Sequence, residues 1–398
     1  MARAEQVEQR AESRWSARRV VLALVPLVLL AAVLAAIIAT GGGLTRRDVP
    51  PIEALSIQRV TLPAPGMIQL AVVNDGPDPV TIAQVLVDDA YWAFTMEPSQ
   101  TLGRLDAATI AIPYPWVEGE AHTITLLSRN GVRFEAEVPV AVQSPAPQAS
   151  TFVRLGLIGF YVGVVPVAIG LLWYPALRQL GRRGMRFLLA LTVGLLLFLA
   201  IDMFEEAQET AARVPGALSG PLLVPAVALL TFLLLMTLAR RPEGAPRRGL
   251  DVAYRIALGI GLHNLGEGLA IGAAFALGEV ALGVFLIAGF TLHNVTEGVG
   301  IAAPILRERP RLTHFALLAL LAGGPAIAGV WIGGFAFSPL WATLFLAIGI
   351  GAIAQVIVEV AALLTGPERR TPLVDWTSLG GLTAGFAIMY LTALTVAA

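Results

Sequence analysis

Two short stretches of this sequence combine the residue types that hold divalent transition metals. The hexad His-Asn-x-x-Glu-Gly occurs at His263, Asn264, Glu267 and Gly268, and again at His293, Asn294, Glu297 and Gly298. Both copies lie inside otherwise apolar segments. An ionisable side chain is costly in a bilayer core, so a chemical role is the default reading. On a helix, His at i and Glu at i+4 share one face, with Asn at its edge. Imidazole plus carboxylate is a ligand set for zinc, iron or manganese. The bland reading, polar glue between membrane helices, suits one copy better than two matched ones. The copies are 30 residues apart, with Gly278 midway. If Gly278 turns the chain between antiparallel helices, each histidine lies roughly 22 Å from the turn. With the turn about 5 Å outside a hydrocarbon core about 30 Å thick, both reach the middle of the membrane.

The elements that must position these residues are membrane helices. Hydrophobic residues make up 56% of the chain and charged residues 14%, and the mean hydropathy is +0.75, a membrane composition. The net charge of −1 argues against a nucleic-acid partner, and the absence of cysteine excludes disulfides and thiolate ligands. Eight apolar segments lie at Phe152–Trp173, Phe187–Glu205, Ala217–Leu238, Val252–Leu277, Val280–Leu306, Thr313–Phe337, Leu340–Leu364 and Trp376–Val396. Arginines fill alternate connections: Arg178, Arg182, Arg183 and Arg186; Arg240, Arg241, Arg247 and Arg248; Arg307, Arg309 and Arg311; Arg369 and Arg370. The opposite loops hold Arg213 at most. By the positive-inside rule the N-terminus is cytoplasmic, and both ends of the eight-helix part are outside.

Ahead of this part, residues 1–19 read as a polar cytoplasmic tail and residues 20–40 as an uncleaved transmembrane anchor helix, longer than a secretory signal's apolar region; the alternative is a signal cleaved near Ala35–Gly41. Residues 41–150 change character. Alternating β-branched runs at Met67–Val73, Val80–Val87, Thr109–Ile112, His122–Leu127 and Val132–Val142 are separated by turn signals such as Asn130-Gly131. About seven short strands are expected, forming a small all-β, immunoglobulin-like sandwich on the outside. His122, its only histidine, reads as a surface or strand residue. A Pro-rich linker, Gln143 to Ala149, returns the chain to the membrane, and residues 151–398 hold the eight helices.

At the paired hexads the chain resembles the ZIP (zinc/iron permease) family of divalent-metal transporters, which carries His-Asn-x-Pro-Glu-Gly-like motifs on its fourth and fifth membrane helices. The resemblance covers roughly residues 152–398. It implies an eight-helix transmembrane bundle with both ends outside, which agrees with the arginine pattern. The anchor helix and β-sandwich are additions to that core. Asp202, Glu205 and Glu206 stand where the family's second helix closes on His-x-x-Pro-Glu-Ala. With Glu209 they would form an anionic entrance that concentrates cations. On the seventh helix Gln355 and Glu359 share a face, and Glu359 matches a glutamate near the inner end of similar helices. It reads as an exit-path ligand or proton acceptor, or else as one end of an interhelical hydrogen bond. The proline that usually precedes the motif glutamate is replaced by Gly266 and Thr296, so no kink is implied. Gly324 precedes Pro325 where many members have a glutamate, so one metal at a time is expected.

The expected function is transport of a divalent metal, zinc first and then iron or manganese, toward the cytoplasm by alternating access. The metal set is His263, Asn264, Glu267, His293, Asn294 and Glu297. The cation is cargo, with no prosthetic group, and a homodimer is implied by resemblance alone. Two other readings compete: an intramembrane metal-dependent hydrolase and a metal-sensing receptor. Against the hydrolase, there is no third histidine at matching depth and no His-Glu-x-x-His; in the receptor reading the β-domain recognises a partner and the membrane part only senses metal.

Overall fold

The computed structural model describes residues 17–40, 51–238, 249–365 and 375–397. The polar tail before Ala17, and with it most of the expected cytoplasmic segment, lies outside the described residues. So do Arg240, Arg241, Arg247, Arg248, Arg369 and Arg370. The chain falls into two units, Met1–Pro51 and Ile52–Ala398. The described part of the first unit is one helix, α1 (Ala17–Thr40). Its 24 residues rise about 36 Å, and the apolar side chains from Leu24 to Ile37 are exposed all round.

The second unit begins with nine strands: β1 (Leu55–Ala64), β2 (Met67–Asn74), β3 (Val80–Val87), β4 (Ala90–Trp92), β5 (Thr95–Glu97), β6 (Thr101–Leu102), β7 (Ala107–Ile112), β8 (His122–Ser128) and β9 (Arg133–Val138). One antiparallel sheet has the order β1-β2-β7-β5, the other β4-β3-β8-β9, with β6 paired to β3. Period-two alternation sends Ile68, Leu70 and Val72 of one sheet and Ile124 and Leu126 of the other into a shared apolar core. Nine strands replace the expected seven. The additional ones are short, except β1, whose residues are half-buried almost throughout and so carry little alternation. The turn after β2 is pinned by Asn74, whose amide donates to the Asp78 and Leu102 carbonyls while its oxygen accepts the Gly76 N–H. The Asn130-Gly131 turn joins β8 to β9 with Gly131 at φ +85°. His122 is a strand residue but not a surface one. It is buried, with Nδ1 2.8 Å from Asp88 Oδ2. Burial is the largest single influence on the Asp88 carboxyl and pushes it up, but the Thr123 N–H, His122 and the Tyr114 hydroxyl together outweigh it and hold the group below its usual range.

The helices follow: α2 (Ala149–Leu177), α3 (Arg182–Ala211), α4 (Gly220–Leu238), α5 (Gly249–Ala276), α6 (Val280–Ala302), α7 (Leu312–Ala336), α8 (Pro339–Thr365) and α9 (Trp376–Ala397). These eight are long and apolar enough to cross a membrane. Inside α2, a π-helical turn at Phe160–Val164 separates two α-helical stretches. Asp375 caps α9 by accepting the Ser378 N–H. That bond, the Ser378 hydroxyl and Arg186 draw its carboxyl down to about 2.

The centre of the bundle is α5, with 78% of its apolar stretch buried, against 6% for the peripheral α4. It packs on α7, α8 and α6, while α2 lies on α6 and α7, and α3 on α8 and α9. The crossing of α5 with α7 is made by glycines on both sides. A Cβ at Gly268 or Gly272 would collide with the Ala326 or Val330 carbonyl, and one at Gly329 or Gly333 with those of Leu265 or Leu269. Such close approach is what small residues allow between membrane helices. Gly268→Val is therefore expected to destabilise the bundle by about 3 kcal/mol or more. Thermal unfolding in detergent checks this; an unchanged midpoint would mean that the helices separate without cost.

The β-strands dock on the helix ends. The Arg59 guanidinium donates to Phe335 O of α7 at 3.0 Å, Ser56 and Gln58 donate to Arg213 O just beyond α3, and Ser144 donates to Ala276 O of α5. Helix-terminal carbonyls lack intrahelical partners, and these donors supply them. Partial burial lowers the Arg59 pKa from its ordinary value.

Candidate metal site

Gly278, at φ +78°, turns the chain between α5 and α6, as its midway position suggested. A left-handed φ suits glycine, and the turn presses against Val140 and Val142 after β9. The two helices run unbroken through their hexads, so neither Gly266 nor Thr296 interrupts them. The fold therefore sets His263 and Glu267 of α5 against His293 and Glu297 of α6.

The site is built around one carboxylate. Glu267 Oε1 lies 2.9 Å from His263 Nε2 and is also bonded by His293 Nε2. Ligand atoms of His263, Glu267 and His293 all fall within 4.8 Å of one another. The imidazole centroids are 6.2 Å apart, and no hexad His, Asn or Glu is more than 6% exposed.

Both asparagines are oriented by backbone carbonyls of the flanking helices, and the one that holds Asn294 is left free by a proline. Pro166 of α2 has no N–H to complete the helical bond to the carbonyl four residues back, at Val162. The Asn294 amide nitrogen donates there at 3.0 Å and to Glu267 Oε2 at 3.3 Å. On the other side the Asn264 amide nitrogen donates to Ala322 O at 3.0 Å, three residues before Pro325 of α7. Only a nitrogen can donate to a carbonyl, so both amides are fixed with Oδ1 turned the other way. Both Oδ1 atoms are buried without a hydrogen-bond partner, and so are both carboxylate oxygens of Glu297. The imidazole contact of Glu297 is loose, with His263 Nε2 4.0 Å from its Oε1. Buried polar atoms are nearly always partnered, and four orphaned oxygens beside two imidazoles call for a physical reason. Buried water partners such oxygens in many proteins, and a divalent cation, for which oxygen and nitrogen are ordinary ligand atoms, is the partner that would also engage the imidazoles.

His263 adds a second indication. Its Nδ1 lies 2.8 Å from Met203 Sδ of α3. A neutral imidazole has one N–H, and both thioether sulfur and carboxylate are acceptors. In the neutral ring, whichever nitrogen carries the proton, the other directs a lone pair at an acceptor; a second proton or a metal ion at Nε2 removes that conflict.

Asp202, Glu205, Glu206 and Glu209 occupy the last turns of α3. All are exposed except half-buried Glu206, and none makes a hydrogen bond or ion pair among the described residues. The 30 residues of α3 rise about 45 Å, beyond a hydrocarbon core of about 30 Å, so this acidic end projects toward the β-strands. Asp202 directly precedes Met203 and is the first of the four along α3. Glu359 of α8 is paired with Arg255 of α5 at 2.6 Å, and the Gln355 amide donates to the same oxygen at 3.4 Å. His314 bonds the Tyr254 hydroxyl at 2.8 Å.

Three participants were missed in the sequence. Met203 lies among the acidic residues singled out on α3, and its position one turn before Glu206 was the available signal. Arg255 is an arginine inside an apolar segment, two turns before His263, and deserved a partner. The Val162 carbonyl was announced by Pro166.

Comparison with known proteins gives one sequence relative to set beside this geometry. A human protein, zinc transporter ZIP5, is 33% identical over 154 residues, which is 37% of this chain and 28% of the relative. The chain thus spans little more than a quarter of that relative's length. Among solved structures, the archaellum periplasmic stator protein FlaG from Sulfolobus acidocaldarius aligns with 22% of this chain and 99% of its own, at 14% identity and a TM-score of 0.20. No family model matches the chain. The eight apolar helices and the similarity to a zinc transporter describe a multi-pass membrane protein.

Proposed function

We propose that this chain is a ZIP-like carrier of divalent metal ions, zinc first and iron or manganese next, and not an enzyme. The observation that carries the reading is the buried His263–Glu267–His293 cluster, whose ligand atoms lie within 4.8 Å of one another, on the same two hexads as the unpartnered oxygens of Glu297, Asn264 and Asn294. The partial similarity to a zinc transporter supports it. The cation is cargo, with no prosthetic group.

In this reading the metal gathers at Asp202, Glu205, Glu206 and Glu209 on the side of the β-strands. It then sheds water into the site made by His263, Glu267, His293 and Glu297, with the asparagine oxygens as further ligands. Met203 stands between entrance and site. Release runs toward the opposite end of α5, past Gln355 and Glu359. Binding must be moderate, because a carried ion has to leave. Arg178 to Arg186 and Arg307 to Arg311 flank the release side, which makes it cytoplasmic by the positive-inside rule. On that orientation residues 1–19 and the anchor helix 20–40 start from the cytoplasm, and residues 41–150 and the C-terminus are outside. The strand order β1-β2-β7-β5 against β4-β3-β8-β9 supports an immunoglobulin-like sandwich. Lipid surrounds residues 151–398, and a homodimer is part of the family reading.

Liposomes holding the purified protein are expected to take up radioactive zinc saturably, at least about tenfold faster than protein-free liposomes, a difference of about 1.4 kcal/mol in barrier. Stoichiometric zinc binding without flux would overturn the carrier reading in favour of a sensor.

A further inference from the structure

The Arg255–Glu359 pair has no part in holding the metal, yet it stands on the motif helix itself. Arg255 precedes His263 by eight residues on α5, which places it about 12 Å along the axis, on the side away from the β-strands. Its Nη1 lies 2.6 Å from Glu359 Oε1, and the Gln355 amide shares that oxygen. The two side chains are 25% and 16% exposed, so the pair is held in a largely apolar setting. Between the pair and the metal site the seam of α5 with α8 is closed by glycine contacts. A Cβ at Gly259 would collide with Val356, and one at Gly349 would crowd His263 and Met203. A cation leaving the hexads along this seam therefore meets a fixed positive charge. The carboxylate best placed to receive it is already committed to that charge.

We propose that Arg255 and Glu359 form the inner gate of the cation path, with the guanidinium as a removable plug on the carboxylate that receives the departing metal. This rests on the carrier reading and adds a residue with a specific role to it. While the pair is closed the two charges cancel, and Glu359 is held by the guanidinium so that it offers a departing divalent cation no free charge; the low dielectric that makes the pair strong keeps it shut. Opening requires Arg255 to leave Glu359, which exposes a free carboxylate at the moment the barrier is lifted. An arginine suits this role because it stays charged in any surroundings.

The roles of the two partners are opposite, and this separates a gate from a structural ion pair. Arg255→Gln removes the plug and frees Glu359, so zinc uptake into liposomes should rise several-fold in maximal rate. Glu359→Gln leaves an unpaired cation on the path, so uptake should fall at least about tenfold, as an intramembrane charge without its partner is strongly unfavourable. The exchange Arg255→Glu/Glu359→Arg should return uptake to within about threefold of wild type, since the pair is restored across the same seam. Zinc binding by the detergent-solubilised variants, measured by calorimetry, should match wild type, because the hexads are untouched. If both single variants lose uptake together with thermal stability, or if neither changes it, the gate is wrong while the carrier reading stands. If wild type shows no saturable uptake, the carrier reading fails and the gate with it.

Discussion

Glu267→Gln is expected to lower zinc uptake on the order of 100-fold, the scale on which metal sites respond to lost ligand interactions. One oxygen of this carboxylate meets both imidazoles, and the other accepts from Asn294. Glutamine keeps the volume but removes the anionic centre. Its amide nitrogen cannot accept, so either the imidazoles or Asn294 faces a donor where an acceptor stood. In the first case the two histidines lose the group that aligns them, and in the second Asn294 keeps only its bond to Val162 O. Stability should fall as well, because buried polar groups are left without partners at about 1–3 kcal/mol each. Uptake kinetics paired with thermal unfolding in detergent would check both effects. Wild-type flux in this variant would mean that the cluster is helix glue.

Glu297→Gln separates function from stability more sharply. Both carboxylate oxygens are buried without a hydrogen-bond partner, and an unpaired buried charge is expensive. Replacing it with a neutral amide of the same shape should raise the unfolding temperature of the metal-free protein. Uptake should nonetheless fall on the order of 100-fold, because the lost charge is the part of the site that waits for the cation. Zinc at about 100 times its dissociation constant should stabilise wild type by about 2.7 kcal/mol and this variant by much less. A variant that is less stable without metal, or equally stabilised by zinc, would show that Glu297 has a structural partner instead.

The paired hexads could be read from sequence because the residues that matter are rare in apolar helices and repeat about a single glycine. Gly278 as the turn, eight long apolar helices and the five alternating strand runs follow from periodicity and turn chemistry alone. The rest was hidden for identifiable reasons. β1 is half-buried along most of its length, so its pattern does not alternate. His122 is buried on Asp88, a partner 34 positions away, and no local pattern announces that contact. Met203 reaches His263 across 60 positions of sequence, and a methionine in an apolar helix looks like packing. The Asn294 contact depends on the Val162 carbonyl, where the useful signal is the donor missing at Pro166, while Asn264 reaches the Ala322 carbonyl of a continuous helix, which no local pattern announces. Arg255 and Glu359 stand 104 residues apart. The carboxylate was visible in sequence as an exit-path candidate, but its occupation by an arginine was not.

The central claim, that metal crosses the membrane through the paired hexads, is tested most directly by zinc uptake into liposomes with and without the His263→Ala/His293→Ala double substitution, with iron and manganese as competitors. The account predicts saturable uptake by wild type, competition by both metals, and a fall to the rate of protein-free liposomes in the folded double variant. Saturable uptake that survives the loss of both imidazoles would contradict it, because the ion would then be crossing by a route that does not include this site.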